Sequence, residues 1–471
     1  MNLRGEPLRR LFAPGKQEPR DPSRRRLKKG SAADAAASGA PAAGRSSVDE
    51  ALSKGPIGAL QLLGPGLVTG ASDDDPSGIG TYSQVGSQFG YGLLWTALFT
   101  FPLMVAVQEL CARIALHTGE GMGVALKRKF PMPVVVVAAV ALCVANTINV
   151  GADLGAIGAG GALLSRGHIQ ALWLLAPAAA LMCVLQLTMS YAHIFRIFKW
   201  LTLALFAYVF TVVLSHPPVL TVLFNTVVPN IHLSAAYIAG LVAVLGTTIS
   251  PYLFFWQASS EVDEMKAAGM TRHRDRKGVT SRELRAARVD VTTGMAFSQL
   301  VMYCIIVTSA AVLHAHGVTQ VQSAQQAASA LQPLAGPVAF IVFSVGLIGT
   351  GLLAIPVLAA SSAYSLKEVL GFKGTLADKA RYRPTFYLVI VVSLGVGVGI
   401  NLLGINPIQA LFFTAVINGI LAPPLLVLIT LIGSDKKIMS RRVSSTRSRV
   451  LTWIAAGLMG AAAVALLITS L

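Results

Sequence analysis

The sequence predicts an all-α membrane protein built from two inverted repeats of five spans, followed by an eleventh span. Three observations support this prediction. Apolar residues make up 54% of the 471 residues, and only 13% are charged. Long apolar segments recur along the chain, and two of them carry a proline beside small polar residues. Soluble proteins average about 25% charged residues, so the composition excludes an ordinary cytoplasmic enzyme, a disordered chain and a nucleic-acid reader.

Eleven apolar segments are long enough to cross the hydrocarbon core as helices. They are continuous rather than alternating, which excludes a transmembrane β-barrel. We expect residues 55–216 to form the first repeat, residues 217–433 the second, and residues 434–471 a basic cytoplasmic loop with span eleven. The approximate bounds of the spans, in order, are 57–83, 91–116, 132–162, 170–189, 194–215, 234–260, 288–313, 337–365, 384–403, 407–433 and 450–470.

The basic residues predict the orientation in the membrane. Residues 1–54 are rich in Arg, Lys, Ala, Gly, Ser and Pro, so we expect a disordered, basic cytoplasmic tail. With eleven spans, every Lys and Arg except Arg166 falls on one side of the membrane. The positive-inside rule then places the N-terminus in the cytoplasm and the C-terminus outside the inner (plasma) membrane. We attribute the net charge of +17 to this topology and to anionic lipid, not to nucleic acid.

Spans one and six are predicted to be broken helices. Span one contains Asp73-Asp74-Asp75-Pro76-Ser77-Gly78, and span six contains Gly246-Thr247-Thr248-Ile249-Ser250-Pro251-Tyr252. A proline inside a helix removes a backbone donor and breaks or kinks the helix. Each broken span is the first of a group of five. Because five is an odd number of crossings, the second group has the opposite orientation in the membrane to the first. Paired breaks of this kind indicate a transport site near the middle of the membrane, although two kinked packing helices remain an alternative.

An acid inside a membrane marks a functional position. We favour Asp75 as the charged ligand, because it adjoins the break, while Asp73 and Asp74 could face an aqueous vestibule. Carbonyl oxygens near Thr247 and Gly78 would add ligands, and Ser250 would add a hydroxyl, directly or through water.

Other polar residues in the spans are candidates for the pathway. Asn146, Asn149 and Asp153 share one face of span three and line either the pathway or a contact between helices. Asn418 in span ten is a further candidate for the pathway. Glu109, four residues before Arg113, favours a local ion pair.

The acids near the end of span six and the histidines complete the set of candidates. Glu261, Asp263 and Glu264 suggest a solvated helix end rather than a binding site. All eight histidines lie at span ends or in loops, so no imidazole is expected in mid-membrane to relay protons, although protonation of Asp153 stays open.

These residues resemble the natural resistance-associated macrophage protein family of divalent metal transporters. Gly64-Pro65-Gly66, followed after eight residues by Asp75-Pro76, is similar to the first helix of that family. Arg113 and Asp153 also resemble family positions. The resemblance covers about residues 55–433 and implies a LeuT-type fold, with alternating access around broken helices one and six.

Four positions depart from the family pattern. The metal-binding Asn of the family falls on Gly78, and its metal-binding Met falls on Ser250. The His after the second proline falls on Tyr252, and the Glu of span three falls on Ala156. A thioether favours transition metals, so its replacement by a hydroxyl favours a hard cation such as Mg²⁺. This pattern resembles the magnesium-transporting branch related to the family, and the lost His and Glu imply uptake without proton coupling.

We therefore expect a secondary transporter that carries Mg²⁺, and also Mn²⁺, into the cytoplasm, with the metal as substrate and no cofactor. Asp74, Asn149, Asp153, Tyr252 and Asn418 would line or gate the pathway. A proton-coupled Mn²⁺ or Fe²⁺ transporter is the nearest alternative. A sodium-coupled amino-acid transporter is the second alternative. An intramembrane enzyme is the third, but the sequence contains no His-Glu-x-x-His motif that would support it. The oligomeric state stays open.

Overall fold

The computed structural model describes residues 64–189 and 205–469. The predicted tail at residues 1–54, the start of span one and most of the first half of span five lie outside the described residues. The helices of the first part are α1 (Pro65–Asp73), α2 (Pro76–Phe89), α3 (Trp95–Thr118), α4 (Met122–Lys129), α5 (Met132–Leu164), α6 (Ala171–Thr188), α7 (Phe206–Leu214) and α8 (Val219–Val227).

The second part of the chain is also helical. Its helices are α9 (Ala235–Thr248), α10 (Pro251–Ala267), α11 (His273–Arg276), α12 (Ser281–Val312), α13 (Ala324–Ser329), α14 (Gln332–Ala335), α15 (Ala339–Leu370), α16 (Pro384–Asn401), α17 (Pro407–Gly433), α18 (Lys436–Met439) and α19 (Thr446–Thr469). Short 3₁₀ turns lie at His314–His316, Gly336–Val338, Ala380–Tyr382 and Ser440–Arg442.

The all-α prediction is confirmed. In the described parts of the chain, nine helices are long and apolar enough to cross a membrane, counting α9 with α10 as one. They correspond to nine of the eleven predicted spans. The other two are span one, which is divided into α1 and α2, and span five, which is described only from residue 205.

The packing of the helices agrees with an inverted repeat. α1 of span one packs along α12 of span seven, and α10 of span six packs along α3 of span two. In an inverted repeat, span one corresponds to span six and span two to span seven. The contact between spans one and seven is therefore the equivalent of the contact between spans six and two. α5 of span three packs along α15 of span eight. These two spans correspond to each other in the repeat, so their contact is its own equivalent.

Glycine residues bring α1 and α12 into backbone contact. A Cβ atom at Gly66 would lie 2.6 Å from the amide nitrogen of Val291, and one at Gly70 would lie 2.6 Å from the Cα atom of Gly294. No side chain fits at such distances, so close approach of the two backbones requires glycine at these positions. Small residues allow this packing between membrane helices, where lipid supplies no hydrophobic drive for association.

At the end of the molecule where α3 meets α4, ion pairs join the loops. Lys129 at the end of α4 pairs with Asp435, the N-cap of α18. The hydrogen bond from Lys129 lowers the pKa of the Asp435 carboxyl group. Arg276 donates to the carbonyl oxygens of Gly119, Met270 and Thr271 and thereby fixes α11 against the end of α3.

Candidate metal centre at the helix breaks

Both predicted helix breaks are present. α1 ends at Asp73, and Asp75 is the N-cap of α2 with extended backbone (φ −69°, ψ 171°). α9 ends at Thr248, and Ser250 is the extended N-cap of α10 (φ −74°, ψ 129°). In each case a proline follows at the first position of the new helix, where its fixed φ is compatible with helix and its missing N–H is not needed. The prolines therefore begin the second half of each broken span.

Four donors surround the carboxylate of Asp75, which is 1% exposed. Oδ1 accepts hydrogen bonds from the hydroxyl of Ser77 at 2.5 Å and the backbone N–H of Gly78 at 2.9 Å. Oδ2 accepts from Nδ2 of Asn149 at 3.2 Å and the hydroxyl of Tyr252 at 3.4 Å. No Lys or Arg of the described residues pairs with this carboxylate. Neutral dipoles alone therefore support its charge, and a cation would add the missing countercharge.

Neutral oxygens of span six face the first break. The hydroxyl of Ser250 donates to the carbonyl oxygens of Thr247 at 2.8 Å and Gly246 at 3.0 Å. The buried hydroxyl of Thr247 has no hydrogen-bond partner among the described residues. It would lie 3.3 Å from a Cβ atom at Gly78, and the carbonyl oxygen of Asp73 would lie 3.5 Å from that atom. That atom would also lie 3.3 Å from Cε2 of Tyr82, so any side chain at this position would crowd the two oxygens. Gly78 itself presents its N–H to Asp75.

Asp73 and Asp74 do not face an aqueous vestibule in this structure, contrary to one expectation from the sequence. They are 0% and 1% exposed. The hydroxyl of Ser298 on α12 donates to Oδ2 of Asp73 at 2.6 Å and contacts Oδ1 of Asp74 at 3.3 Å. Close packing of α12 against α1, which the sequence did not reveal, covers both carboxylates.

The predicted pathway residues divide into three groups. Asn149 and Tyr252 reach Asp75 directly. The single hydroxyl proton of Tyr252 is shared between the carbonyl oxygen of Ser72 at 2.8 Å and Oδ2 of Asp75 at 3.4 Å, and the shorter bond to Ser72 is the stronger. Asp153 lies one turn beyond Asn149 and is 0% exposed. Asn418 is buried on α17, with Nδ2 unpartnered among the described residues, and has no contact with Asp75.

Asn146, on the same face of α5, instead joins two helices. It donates to the carbonyl oxygen of Leu358 at 3.2 Å and to the hydroxyl of Ser362 at 3.1 Å, both on α15. The interhelical alternative is therefore correct for this residue.

The predicted ion pair of Glu109 is confirmed and has an additional member. Arg113 Nη2 lies 2.7 Å from Oε1 of Glu109. Arg288 on α12 binds the same carboxylate with Nε at 3.0 Å and Nη2 at 2.9 Å. Sequence spacing identified Arg113, one helical turn away, but carried no signal for a partner 179 residues distant. The pair holds α3 and α12 together, away from the breaks.

The expectation of a solvated end for span six is wrong for Glu261, which is 4% exposed. Gln257 donates from Nε2 to Oε1 of Glu261 at 2.9 Å, and its own Oε1 accepts from the hydroxyl of Thr69 at 2.5 Å. α10 packs against α1 here, so this side chain is covered by protein. Asp263 is partly exposed and pairs with Lys266, as a solvated helix end predicts.

Asp290 on α12 caps the start of α1 and was not identified from the sequence. Its carboxylate accepts from the backbone N–H groups of Gly64 at 2.8 Å, Gly66 at 2.6 Å and Leu67 at 3.0 Å. The first N–H groups of a helix have no intrahelical acceptor, so this carboxylate satisfies them across helices. One indication of such a role was present in the sequence, because Asp290 is an acid that lies two residues after the start of predicted span seven.

A cavity of about 280 Å³ lies at the opposite end of the molecule, beside the end of α2 and the start of α17. Gln84 accepts from the backbone N–H of Val321 at 2.8 Å, and Asn406 donates to the carbonyl oxygen of Gln322 at 2.8 Å. These bonds fasten the loop after α12 over the cavity. The amide side chains that line it are Gln84, Gln88, Gln320, Gln322 and Gln409.

The groups that meet at the breaks are rich in oxygen atoms. They are the carboxylate of Asp75, four hydroxyls, the amide of Asn149 and backbone carbonyls; the hydroxyls belong to Ser77, Thr247, Ser250 and Tyr252. The described residues hold no group of three or more His, Cys, Asp or Glu side chains arranged around a metal. A sulfur atom lies nearby, since Sδ of Met302 is 3.7 Å from the Thr248 hydroxyl, but it contacts neither Asp75 nor Ser250. Hard divalent cations bind such oxygen ligands and retain part of their water shell.

Comparison with known proteins agrees with this geometry. Residues 66–469 match the family model described as natural resistance-associated macrophage protein-like. The divalent metal cation transporter MntH of Aeromonas hydrophila is 27% identical over 295 residues, covering 62% of this chain and 70% of the relative. The manganese transporter of Eremococcus coleocola superposes with a TM-score of 0.64 at 15% identity, covering 86% of each chain.

The transporter Mhp1, of the nucleobase-cation-symport-1 family, superposes with a TM-score of 0.54 at 15% identity, covering 86% of this chain and 91% of its own. At these identities the two structural similarities establish the fold, which is of the predicted LeuT type. The match over nearly the whole described chain establishes more: the protein belongs to the natural resistance-associated macrophage protein-like family of divalent metal transporters.

Proposed function

We propose that this protein carries Mg²⁺, and also Mn²⁺, into the cytoplasm by alternating access around the two helix breaks, without proton coupling. One observation carries the proposal. Ser250 occupies the place where the family has a methionine, and the groups that hydrogen-bond to Asp75 and Ser250 offer only oxygen and nitrogen atoms. The family membership supports a divalent cation as substrate, and the donor set favours the hard members of that class.

Ligand softness is the physical reason for this preference. A thioether selects soft transition metals, whereas carboxylate, carbonyl and water ligands suit Mg²⁺ and Mn²⁺. Mg²⁺ gives up water reluctantly, so it is usually held by one or two carboxylates with several waters retained. Gly78 in place of a ligating Asn removes one protein ligand, so a water molecule retained by the ion would take the place of that amide.

The membrane potential is a sufficient driving force for uptake. Each elementary charge that crosses 100 mV gains about 2.3 kcal/mol, so a divalent ion gains roughly twice that. The two positions where the family has a His and a Glu for protons carry Tyr252, after the second break, and Ala156, on α5. We propose the orientation from the positive-inside rule, with the Glu109 end in the cytoplasm and the basic loops against anionic lipid.

A proton-coupled Mn²⁺ or Fe²⁺ transporter is the second candidate. It is favoured by the relatives, since one is named a divalent metal cation transporter and another a manganese transporter. Asp153 keeps a titratable carboxyl close to the breaks, which this candidate would use. It predicts Mn²⁺ uptake that a pH gradient drives and that Mg²⁺ competes with poorly.

Proteoliposomes with the purified protein test both candidates. Uptake of Mg²⁺, Mn²⁺ and Ca²⁺ is measured under an inside-negative potential while a trapped dye reports internal pH. We expect Mg²⁺ entry without acidification, abolished by Asp75→Ala and unchanged by Asp275→Ala, which removes a carboxylate that is 43% exposed. Mn²⁺ uptake with acidification and no Mg²⁺ uptake would overturn the proposal.

The softness argument has a separate test. Ser250→Met restores the thioether of the family, so uptake of the soft ion Cd²⁺ should rise relative to Mg²⁺. The ratio of uptake rates is measured in the same vesicles. An unchanged ratio in a folded variant would show that the side chain at this position does not set selectivity.

A further inference from the structure

We infer that α5 supplies the second anion of the cation site: Asp153 faces the ion through its water shell, and Asn149 turns its amide to offer Oδ1 when the ion arrives. This inference rests on the proposed function and deepens it, because it adds α5 to the two broken helices that were expected to hold the ion. The evidence is the position of Asp153, its lack of partners and the contact that Asn149 makes.

The position of Asp153 is defined by the residues one turn before and one turn after it. Asn149, four residues earlier, donates to Asp75 at 3.2 Å. Ile157, four residues later, lies beside the first break, because a Cβ atom at Gly351 would contact both Ile157 and, at 3.3 Å, Cγ of Pro76. Residues four apart lie on the same face of a helix. The side chain of Asp153 therefore leaves α5 on the face that carries both contacts with the break.

Asp153 has no hydrogen-bond partner for either carboxylate oxygen among the described residues, although it is 0% exposed. Other buried acids accept at least one hydrogen bond: Asp290 accepts three backbone N–H groups, and Glu368 accepts from Gly123 and Ser259. Asp73 and Asp74 each have one oxygen at the hydroxyl of Ser298 and one without a partner among the described residues. A buried carboxylate without donors is strongly unfavourable unless a cation or water meets it. An approaching hydrated cation supplies both.

The contacts of Asp75 indicate which oxygen accepts the ion. Oδ1 is held by the two shorter bonds, from Ser77 and Gly78, whereas Oδ2 is held by the two longer ones, from Asn149 and Tyr252. An ion therefore displaces the donors of Oδ2. When Nδ2 of Asn149 leaves, rotation of the amide brings Oδ1, which has no partner among the described residues, toward the ion. The amide is a donor to Asp75 in the empty site and a ligand in the loaded one.

The charge of the ion requires a second carboxylate nearby. Asp75 alone would leave one charge of a divalent cation uncompensated in a closed, buried site. Asp73 and Asp74 are also buried beside it, but each contacts the hydroxyl of Ser298 on α12, whereas neither oxygen of Asp153 has a partner among the described residues. Asp153 is therefore the carboxylate that we assign as the second anion. Mg²⁺ keeps several of its waters in protein sites and uses one or two carboxylates. Asp153, one turn removed from the contact with Asp75, matches the role of the carboxylate that binds those waters.

Direct binding tests the inference. Calorimetry of the purified full-length protein with MgCl₂, and separately MnCl₂, should show at least about tenfold weaker binding for Asp153→Asn, since hydrogen bonds to charged groups are the strong ones. Asp153→Glu should recover part of the loss. Asn149→Asp adds an anion at the contact with Asp75, so binding should tighten about tenfold or more while the maximal uptake rate falls.

A control on the same helix separates the site from the packing of α5. Thr147→Val removes a hydroxyl that contacts Ser393 at 3.2 Å on another face, and should bind both metals like the wild type. Wild-type protein that binds neither metal would refute the proposed function itself. Binding that Asp75→Ala abolishes and folded Asp153→Asn leaves unchanged would refute only the role of α5. If the Asp153 variants do not fold, unchanged affinity in Asn149→Asp refutes it instead.

Discussion

Removal of the Asp290 carboxylate should loosen the first turn of α1. Asp290 is 3% exposed and accepts from three backbone N–H groups at 2.6 to 3.0 Å. Replacement of a capping residue by alanine costs about 0.5–2 kcal/mol, and a partly buried charge at a helix end adds up to about 2 kcal/mol. We expect Asp290→Ala to destabilise this turn by about 2–3 kcal/mol, which raises the population of its open form about 30- to 150-fold.

Hydrogen–deuterium exchange with mass spectrometry measures this effect in nanodiscs. Peptides that cover residues 64–73 should exchange faster by that factor, because exchange proceeds through local opening. Asp290→Asn should give a smaller increase, since a neutral amide oxygen still accepts but carries no charge. Peptides from α19 provide an internal reference in the same sample.

A matched variant controls for the loss of an acid from α12. Glu283 lies in the first turn of that helix and accepts from the backbone N–H of Thr280 at 2.7 Å. Glu283→Ala should therefore affect the start of α12 and leave α1 unchanged. Equal exchange of α1 in wild type and Asp290→Ala would refute the assignment of Asp290 as the cap.

Two further predictions concern packing and ion pairs. Gly294→Ala would place a Cβ atom 3.0 Å from the Cα atom of Leu67 on α1 and closer still to the carbonyl group of Gly66. We therefore expect this variant to lose its monodisperse peak in size-exclusion chromatography. The control Gly457→Ala, whose Cβ atom would have no atom within 4 Å, should behave like the wild type. Glu109→Gln should lower thermal stability more than Arg288→Ala, because it leaves Arg113, 10% exposed, without its carboxylate, whereas the side chain of Arg288 is 55% exposed. Breaking a buried pair costs about 3–5 kcal/mol, and equal melting temperatures for the two variants would contradict this ranking.

Features that depend on local chemistry were predictable from the sequence. Pro76 and Pro251 break their spans wherever the surrounding helices pack, because proline lacks a donor and has a fixed φ. Arg113 lies one turn from Glu109, so their pair follows from helical spacing. The apolar lengths of the spans depend only on membrane thickness. Each of these predictions needs no knowledge of which helices are neighbours.

Features that depend on tertiary neighbours were not predictable in the same way. Asp290, Ser298 and Arg288 all lie on α12, and each binds a residue more than 170 positions earlier in the chain. Once α12 packs against α1 and α3, the burial of Asp73 and the third member of the Glu109 pair both follow. Gly66, which belongs to the Gly64-Pro65-Gly66 motif, and Gly70, one helical turn later, were the clearest available indication of that neighbour.

The amide-lined cavity has a consequence for how ions reach the protein. The loops that we expect outside the cell contain no Asp or Glu, and Arg166 is their one Lys or Arg. Glutamine side chains are dipolar but carry no net charge, so this cavity would not concentrate divalent cations above their bulk level. Capture should therefore depend on free ion concentration and hardly on ionic strength. A cavity without electrostatic attraction for cations would serve an abundant ion better than a scarce one.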